Sequence, residues 1–101
     1  MARRASNLGA YEISSLPGQS QVAVTHGFVV PEGMRGQGNA HRLKEQQQRD
    51  LASQHYDFAL CTVASGNTAQ KRVLAKRGWK CMAMFRNRRS CETTELWGCE
   101  L

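Results

Sequence analysis

Long apolar runs are absent from this sequence; the longest, "CMAMF", has five residues. A bilayer-spanning helix needs about 20 apolar residues in succession, so none is expected. The opening "MARRASNLGAYEIS" carries two arginines with no apolar stretch behind them. That argues against a secretory signal and for a cytoplasmic protein. Cysteine pairing is equally wanting. Cys61, Cys81, Cys91 and Cys99 are twenty, ten and eight residues apart, with no C-x-x-C pair and no histidine at zinc-finger spacing. No metal site is expected. The four thiols read as reduced, with Cys61 and Cys81 packing inside strands as small hydrophobes. Acid is missing from one region: eight of the fourteen basic residues fall between Lys71 and Arg89, where there is no Asp or Glu. The net charge of +6 is therefore uneven. It points to an anionic partner or, failing that, to a solvated basic face. Nucleic acid ranks last among such partners, because few aromatics are interleaved with the cations and no binding motif is present.

What is there suits one small domain spanning residues 1–101. The chain is 41% hydrophobic and 22% charged, enough for a single modest core, with no repeat, linker or low-complexity tract. A first strand is predicted over Ala10–Leu16, and "PGQS" supplies a turn. A second strand, Gln21–Val30, closes an antiparallel hairpin. Gly27 within it suggests a bulge or a close approach to the backbone. A helix over Asn39–Gln54 follows, its thin apolar face made of Ala40, Leu43, Leu51 and Ala52. The run "DFALCTVA" has the continuous apolar character of a strand covered on both faces. A second helix runs from about Gly66 to Gly78, with Asn67 or Ser65 to cap it and Gly78 as its left-handed end. The chain then reads as a hairpin, "WKCMAMF" and "TTELWGCEL" about the turn "RNRRS", with Trp97, Cys99 and Leu101 on one face. This order predicts a mixed α/β layer.

Between the second strand and the first helix lies "MRGQGNA", Met34 to Ala40. Glycines at such a joint let backbone N–H groups converge, and the helix start adds positive partial charge, a recipe for binding phosphate. A dinucleotide fingerprint needs glycine where His41 stands. A P-loop needs lysine and a hydroxyl where Asn39 and Ala40 stand. The pattern R/Q-x-x-G-x-G/A is met by Arg35, Gly38 and Ala40. Further on, "NTAQKRVLAKRGW" has the form N-x-x-A-x-x-L-Y-x-K-x-G-F, with Asn67, Val73, Lys76, Gly78 and Trp79 in register. On these two motifs the sequence resembles the GNAT superfamily of acyl-CoA-dependent N-acyltransferases, in the manner of its short, often virus-encoded members. The element order fits from Ala10 to Leu101.

The resemblance implies a central sheet, mostly antiparallel with one splayed parallel pair, and acetyl-CoA as the acyl donor to an amine. Residues Gly36, Gln37, Gly38, Asn39 and Ala40 would present N–H groups to the pyrophosphate, with Arg35 bracing the loop or neutralising charge. Phe28, Val29 and Val30 would lend backbone groups to the pantetheine arm. Asn67 would contact the middle of the coenzyme, and Lys71 and Arg72 would add charge near its phosphates; otherwise Asn67 is a helix cap and the two cations are solvated. His26 is the candidate base, since some family members carry a histidine nine residues before the loop arginine and an unperturbed imidazole titrates near neutrality. His41 could touch phosphate, and His55 ends the helix, where it complements the dipole. Two departures stand out. Leu74 occupies the position of the family's frequent tyrosine acid. Only nine residues precede the first predicted strand, so the family's usual first strand and two early helices, which wall the acceptor site, are expected to be missing. Either acceptor recognition is rudimentary, or a second copy or a protein partner completes the wall, or the domain is a catalytically silent module that binds a protein.

Overall fold

The computed structural model describes residues 2–101. Its core is one six-stranded sheet in the order β1-β2-β3-β4-β6-β5. The strands are β1 (Ala2–Ser6), β2 (Gly9–Leu16), β3 (Gln19–Val29), β4 (Phe58–Ala64), β5 (Lys80–Asn87) and β6 (Glu92–Glu100). Helix α1 (Asn39–Ser53) joins β3 to β4, and α2 (Thr68–Lys76) joins β4 to β5. Every strand pairing is antiparallel except β3 with β4. The mixed α/β class and the splayed parallel pair are as expected.

Strand β1 was not anticipated. "ARRAS" has no apolar alternation, because it pairs as an edge strand along β2 and has Arg3 through Ser6 exposed. A chain segment does precede the first predicted strand, therefore, and it adds to the sheet. The turn Asn7–Leu8 between β1 and β2 leaves no room for helices.

Both helices lie over one face of the sheet. That face supplies Tyr11 and Ile13 from β2, Ala23 and Thr25 from β3, Ala59, Cys61 and Val63 from β4, and Trp97 and Cys99 from β6, all buried. Leu43 and Leu51 of α1 and Leu74 of α2 close over them, each fully buried, worth about 1.5–3 kcal/mol apiece. Tyr11 Oη–H donates to the Asp50 carboxylate of α1. Burial, then that bond, pushes the phenol up to about 12.

Several sequence expectations are corrected. Strand β4 is not covered on both faces: Ala59, Cys61 and Val63 are buried, whereas Phe58 and Leu60 are half-buried and Thr62 and Ala64 exposed. Among the described residues no helix or strand covers its second face. Ala52 is exposed; the core stripe of α1 is instead Leu43, Lys44, Gln47 and Leu51. Two polar residues thus sit where apolar ones were sought. Cys81 is exposed because β5 is an edge strand, and Leu101 lies beyond the end of β6 and is exposed. All four cysteines are free thiols. No helix is long and apolar enough to cross a membrane, and the described residues hold no cluster suited to a metal.

Candidate functional site: a cleft where two parallel strands part

Strands β3 and β4 pair only at Val22–Val24 with Phe58–Leu60. Gly27 explains why β3 then turns away. It sits at φ 64, the left-handed region that favours glycine, and the β2–β3 register slips by one residue there. The bulge expected at Gly27 is present, and it bends β3 off its neighbour. Beyond Thr25, whose hydroxyl still donates to the Leu60 carbonyl at 3.4 Å, the two strands diverge and a cleft opens between them.

The outer part of the cleft, about 610 Å³, is lined by Phe28, Val29 and Val30 of β3 and its exit, by Arg35, Gly36, Gly38, Ala40 and His41, and by Asn67, Arg72 and Val73 on the α2 side. The loop enters through a 3-10 turn over Glu32–Met34. Gly36 and Gly38 stand at φ 76 and 77, and a Cβ on either would meet the left-handed penalty. Gly38 is also the N-cap of α1 and offers no side chain to satisfy the first turn. Among the described residues no acceptor takes the backbone N–H of any residue from Gly36 to His41; the first bond of the helix start is Arg42 N–H to Gly38 at 3.2 Å. The loop is held from behind. Arg35 Nε–H donates to the Val30 carbonyl at 3.0 Å, Asn39 Nδ2–H to Met34 at 2.8 Å, and Arg42 to Gln37 at 3.0 Å. Gln37 and Asn39 therefore brace the loop with side chain or carbonyl and do not line the cleft.

The inner part is lined by Thr25, His26, Gly27 and Phe28 from β3, Lys44 from α1, and Cys61 to Ala64 from β4. Asn67 and Gln70 of α2 border both parts. His26 Nδ1 lies 3.0 Å from the Glu12 carboxylate, and Ser14 Oγ is 3.4 Å from Nε2. With Nδ1–H donating to the carboxylate, Nε2 is the acceptor nitrogen of the ring, and the Ser14 hydroxyl donates to it. Lys44 is 1% exposed, with Nζ 4.0 Å from the Trp79 ring centroid and 5.3 Å from that of Phe28. Burial draws its ammonium down to about 8.

Two predicted site residues have other partners. Lys71 does not line the cleft; its Nζ donates to Glu95 Oε2 at 3.1 Å. Ser65 and Trp97 Nε1–H also donate to Glu95, and the Ser65 bond, ahead of Lys71, holds that carboxyl below its usual range. Asn67 Oδ1 accepts from Gln70 N–H at 3.2 Å and so caps α2, while also standing at the cleft. His55 adopts φ 65 just past α1, as the residue that ends it. Sequence reasoning missed Glu12, Ser14 and Lys44. Glu12 was hidden by a bulge: continuing the Leu16–Gln19 pairing would set Ala23 opposite it, but extra residues in β3 bring His26 there instead.

No protein-family model matches the sequence, and no curated protein does either. Solved structures do match. An IAA acetyltransferase from Bacillus cereus superposes with TM-score 0.83 at 13% identity, over 93% of this chain and 70% of that one. The fold is that of the GNAT acetyltransferases. A GNAT family acetyltransferase from Elizabethkingia anophelis with acetyl-CoA bound gives TM-score 0.81 at 17% identity, covering 93% and 69%. A Bacillus subtilis acetyltransferase in complex with CoA gives 0.80 at 15%, covering 93% and 69%. This chain spans 58–70% of the length of eight of the structures it matches.

Proposed function

We propose that this GNAT-fold chain binds acetyl-CoA in the cleft and transfers the acetyl group to an amine by direct attack. The observation that carries the reading is the row of unbonded N–H groups from Gly36 to His41, of which Gly36, Gly38, Ala40 and His41 line the cleft where β3 and β4 part. Such a row, at a helix N-terminus and beside Arg35 and Arg72, fits a pyrophosphate. Acetyl-CoA, when bound, supplies an activated thioester. The chain supplies the rest. The loop amides and Arg72 hold the anionic end, and Phe28 to Val30 offer backbone groups along the wall. His26 Nε2, oriented by Glu12, takes the proton of the attacking amine. Lys71, committed to Glu95, has no part in this reading.

The acceptor is an amine of a small molecule or a protein. The two-residue link between β1 and β2 means that no helix from this stretch walls its approach, so a second copy or a protein partner is the proposed wall. One observation favours a second reading, a silent coenzyme-binding module: Leu74, at the position of the family's tyrosine acid, is fully buried in the core. The deciding experiment is thermal unfolding with acetyl-CoA, followed by release of free thiol across a panel of amines. A raised Tm with amine-dependent thiol release is expected. A raised Tm without release selects the silent module, and no shift up to millimolar coenzyme overturns both.

A further inference from the structure

Lys44 is the most anomalous side chain of the cleft. Its stem occupies a core-facing position of α1, a place that leucine or methionine would fill as well. Yet its Nζ enters no ion pair among the described residues. The rings of Trp79 and Phe28 flank it. The titratable groups that act on it are the thiols of Cys61 from β4 and Cys99 from β6. Burial raises both thiols, so they are neutral near pH 7 and offer no countercharge. Lys71, by contrast, has Glu95, and Lys76 and Lys80 are in solvent. An ammonium buried without a countercharge is held at a cost that a plain core residue would avoid.

Position suggests what the amine does. Lys44, His26 and Cys61 all line the inner cleft. That space shares Phe28, Asn67 and Gln70 with the outer cleft and its row of free N–H groups. A coenzyme anchored there by its pyrophosphate would carry its thioester at the other end of its arm, and the shared lining of Phe28, Asn67 and Gln70 would let that end reach the inner cleft. We infer that Lys44 is itself an acetyl acceptor, so that the chain acetylates its own Nζ from acetyl-CoA held in the cleft. This rests on the coenzyme reading above.

The step balances without another reactant. The unprotonated Nζ attacks the thioester carbonyl carbon, an N–C bond forms, and the C–S bond breaks with its electron pair leaving on sulfur. The thiolate takes up the proton that nitrogen sheds, giving acetyl-lysine and free coenzyme thiol. Burial favours the product, because a neutral amide between two rings replaces a charge that water cannot reach. It also favours the reactant amine. With the ammonium drawn down to about 8, roughly half of the Lys44 side chains are unprotonated at pH 8, against under about 1% for an ordinary lysine.

The test uses the whole chain with acetyl-CoA alone at pH 8, read by intact mass, by peptide mapping and, in parallel, by the Tm shift. One acetyl group per chain is expected on Lys44, at least about tenfold faster than on Lys76 or Lys80. The rate should saturate with acetyl-CoA and be independent of protein concentration. Lys44→Arg should retain the Tm shift and lose the label, and Gly38→Glu should lose both. A clear Tm shift with Lys44 unmodified, or modified no faster than Lys76 and Lys80, overturns this inference and leaves the coenzyme reading standing. No Tm shift removes the coenzyme reading, and self-acetylation falls with it.

Discussion

In the outer half of the cleft the distinctive polar groups are main chain: the unbonded N–H groups of Gly36, Gly38, Ala40 and His41, on a loop set by two left-handed glycines and braced by Arg35, Asn39 and Arg42, with the Arg72 side chain nearby. In the inner half they are side chains: His26 with Glu12 and Ser14, and Lys44 between two rings. A row of backbone donors recognises an anionic shape, and its strength depends on little but φ angles. A side-chain group does chemistry, and its state depends on what burial and neighbours do to its proton. The difference suggests that binding and reactivity are separable in this cleft, and mutations can test that separation.

The largest effect should come from the outer half. Gly38→Glu forces a left-handed position and sets a carboxylate at the helix start. It should weaken acetyl-CoA at least about 100-fold and erase the Tm shift. A retained shift would mean that the loop does not hold the coenzyme. Next is His26→Ala, which should lower amine-dependent turnover about 100-fold while leaving the coenzyme-induced shift in place. Equal loss of both would break the division between the halves.

Lys44→Met probes the inner half through stability. The folded ammonium titrates at about 8, below the ordinary 10.5, so the unfolded chain binds more protons between those values. The destabilisation is fully present below pH 8 and is lost as pH rises to 10.5. Lys44→Met should therefore be more stable than the parent at pH 7 by up to about 3 kcal/mol, less what the rings return. The advantage should shrink from pH 8 upward in denaturant titrations, and a gap constant with pH would contradict the burial argument. The smallest effect belongs to Lys71→Ala. With its Nζ on Glu95, its loss should change acetyl-CoA affinity by less than about twofold. A marked drop would place Lys71 at the coenzyme after all.

Much of the fold could be read from local chemistry. Alternation marked β2 and β3, caps and glycines marked α1 and α2, and the two spaced motifs marked the family resemblance, because these signals act within a few residues. Strand β1 was invisible because an exposed edge strand needs no apolar pattern. Strand β4 looked doubly covered because its composition is apolar on both faces, whereas the chain folds helices over only one. In the cleft, the loop was legible and its partners were not. Lys71 reads from the sequence as a coenzyme cation, and the fold gives it Glu95 as a partner that the sequence does not disclose.

What the residues alone decided was the loop: glycines at 36 and 38, ahead of a helix, produce free N–H groups wherever that segment is placed. What the tertiary structure decided was the company each side chain keeps. A bulge in β3 carried His26 opposite Glu12, the same strand's bend at Gly27 opened the cleft, and helix packing turned Lys44 inward between Trp79 and Phe28. Backbone conformation follows from neighbours in sequence, but charge state and reactivity follow from neighbours in space.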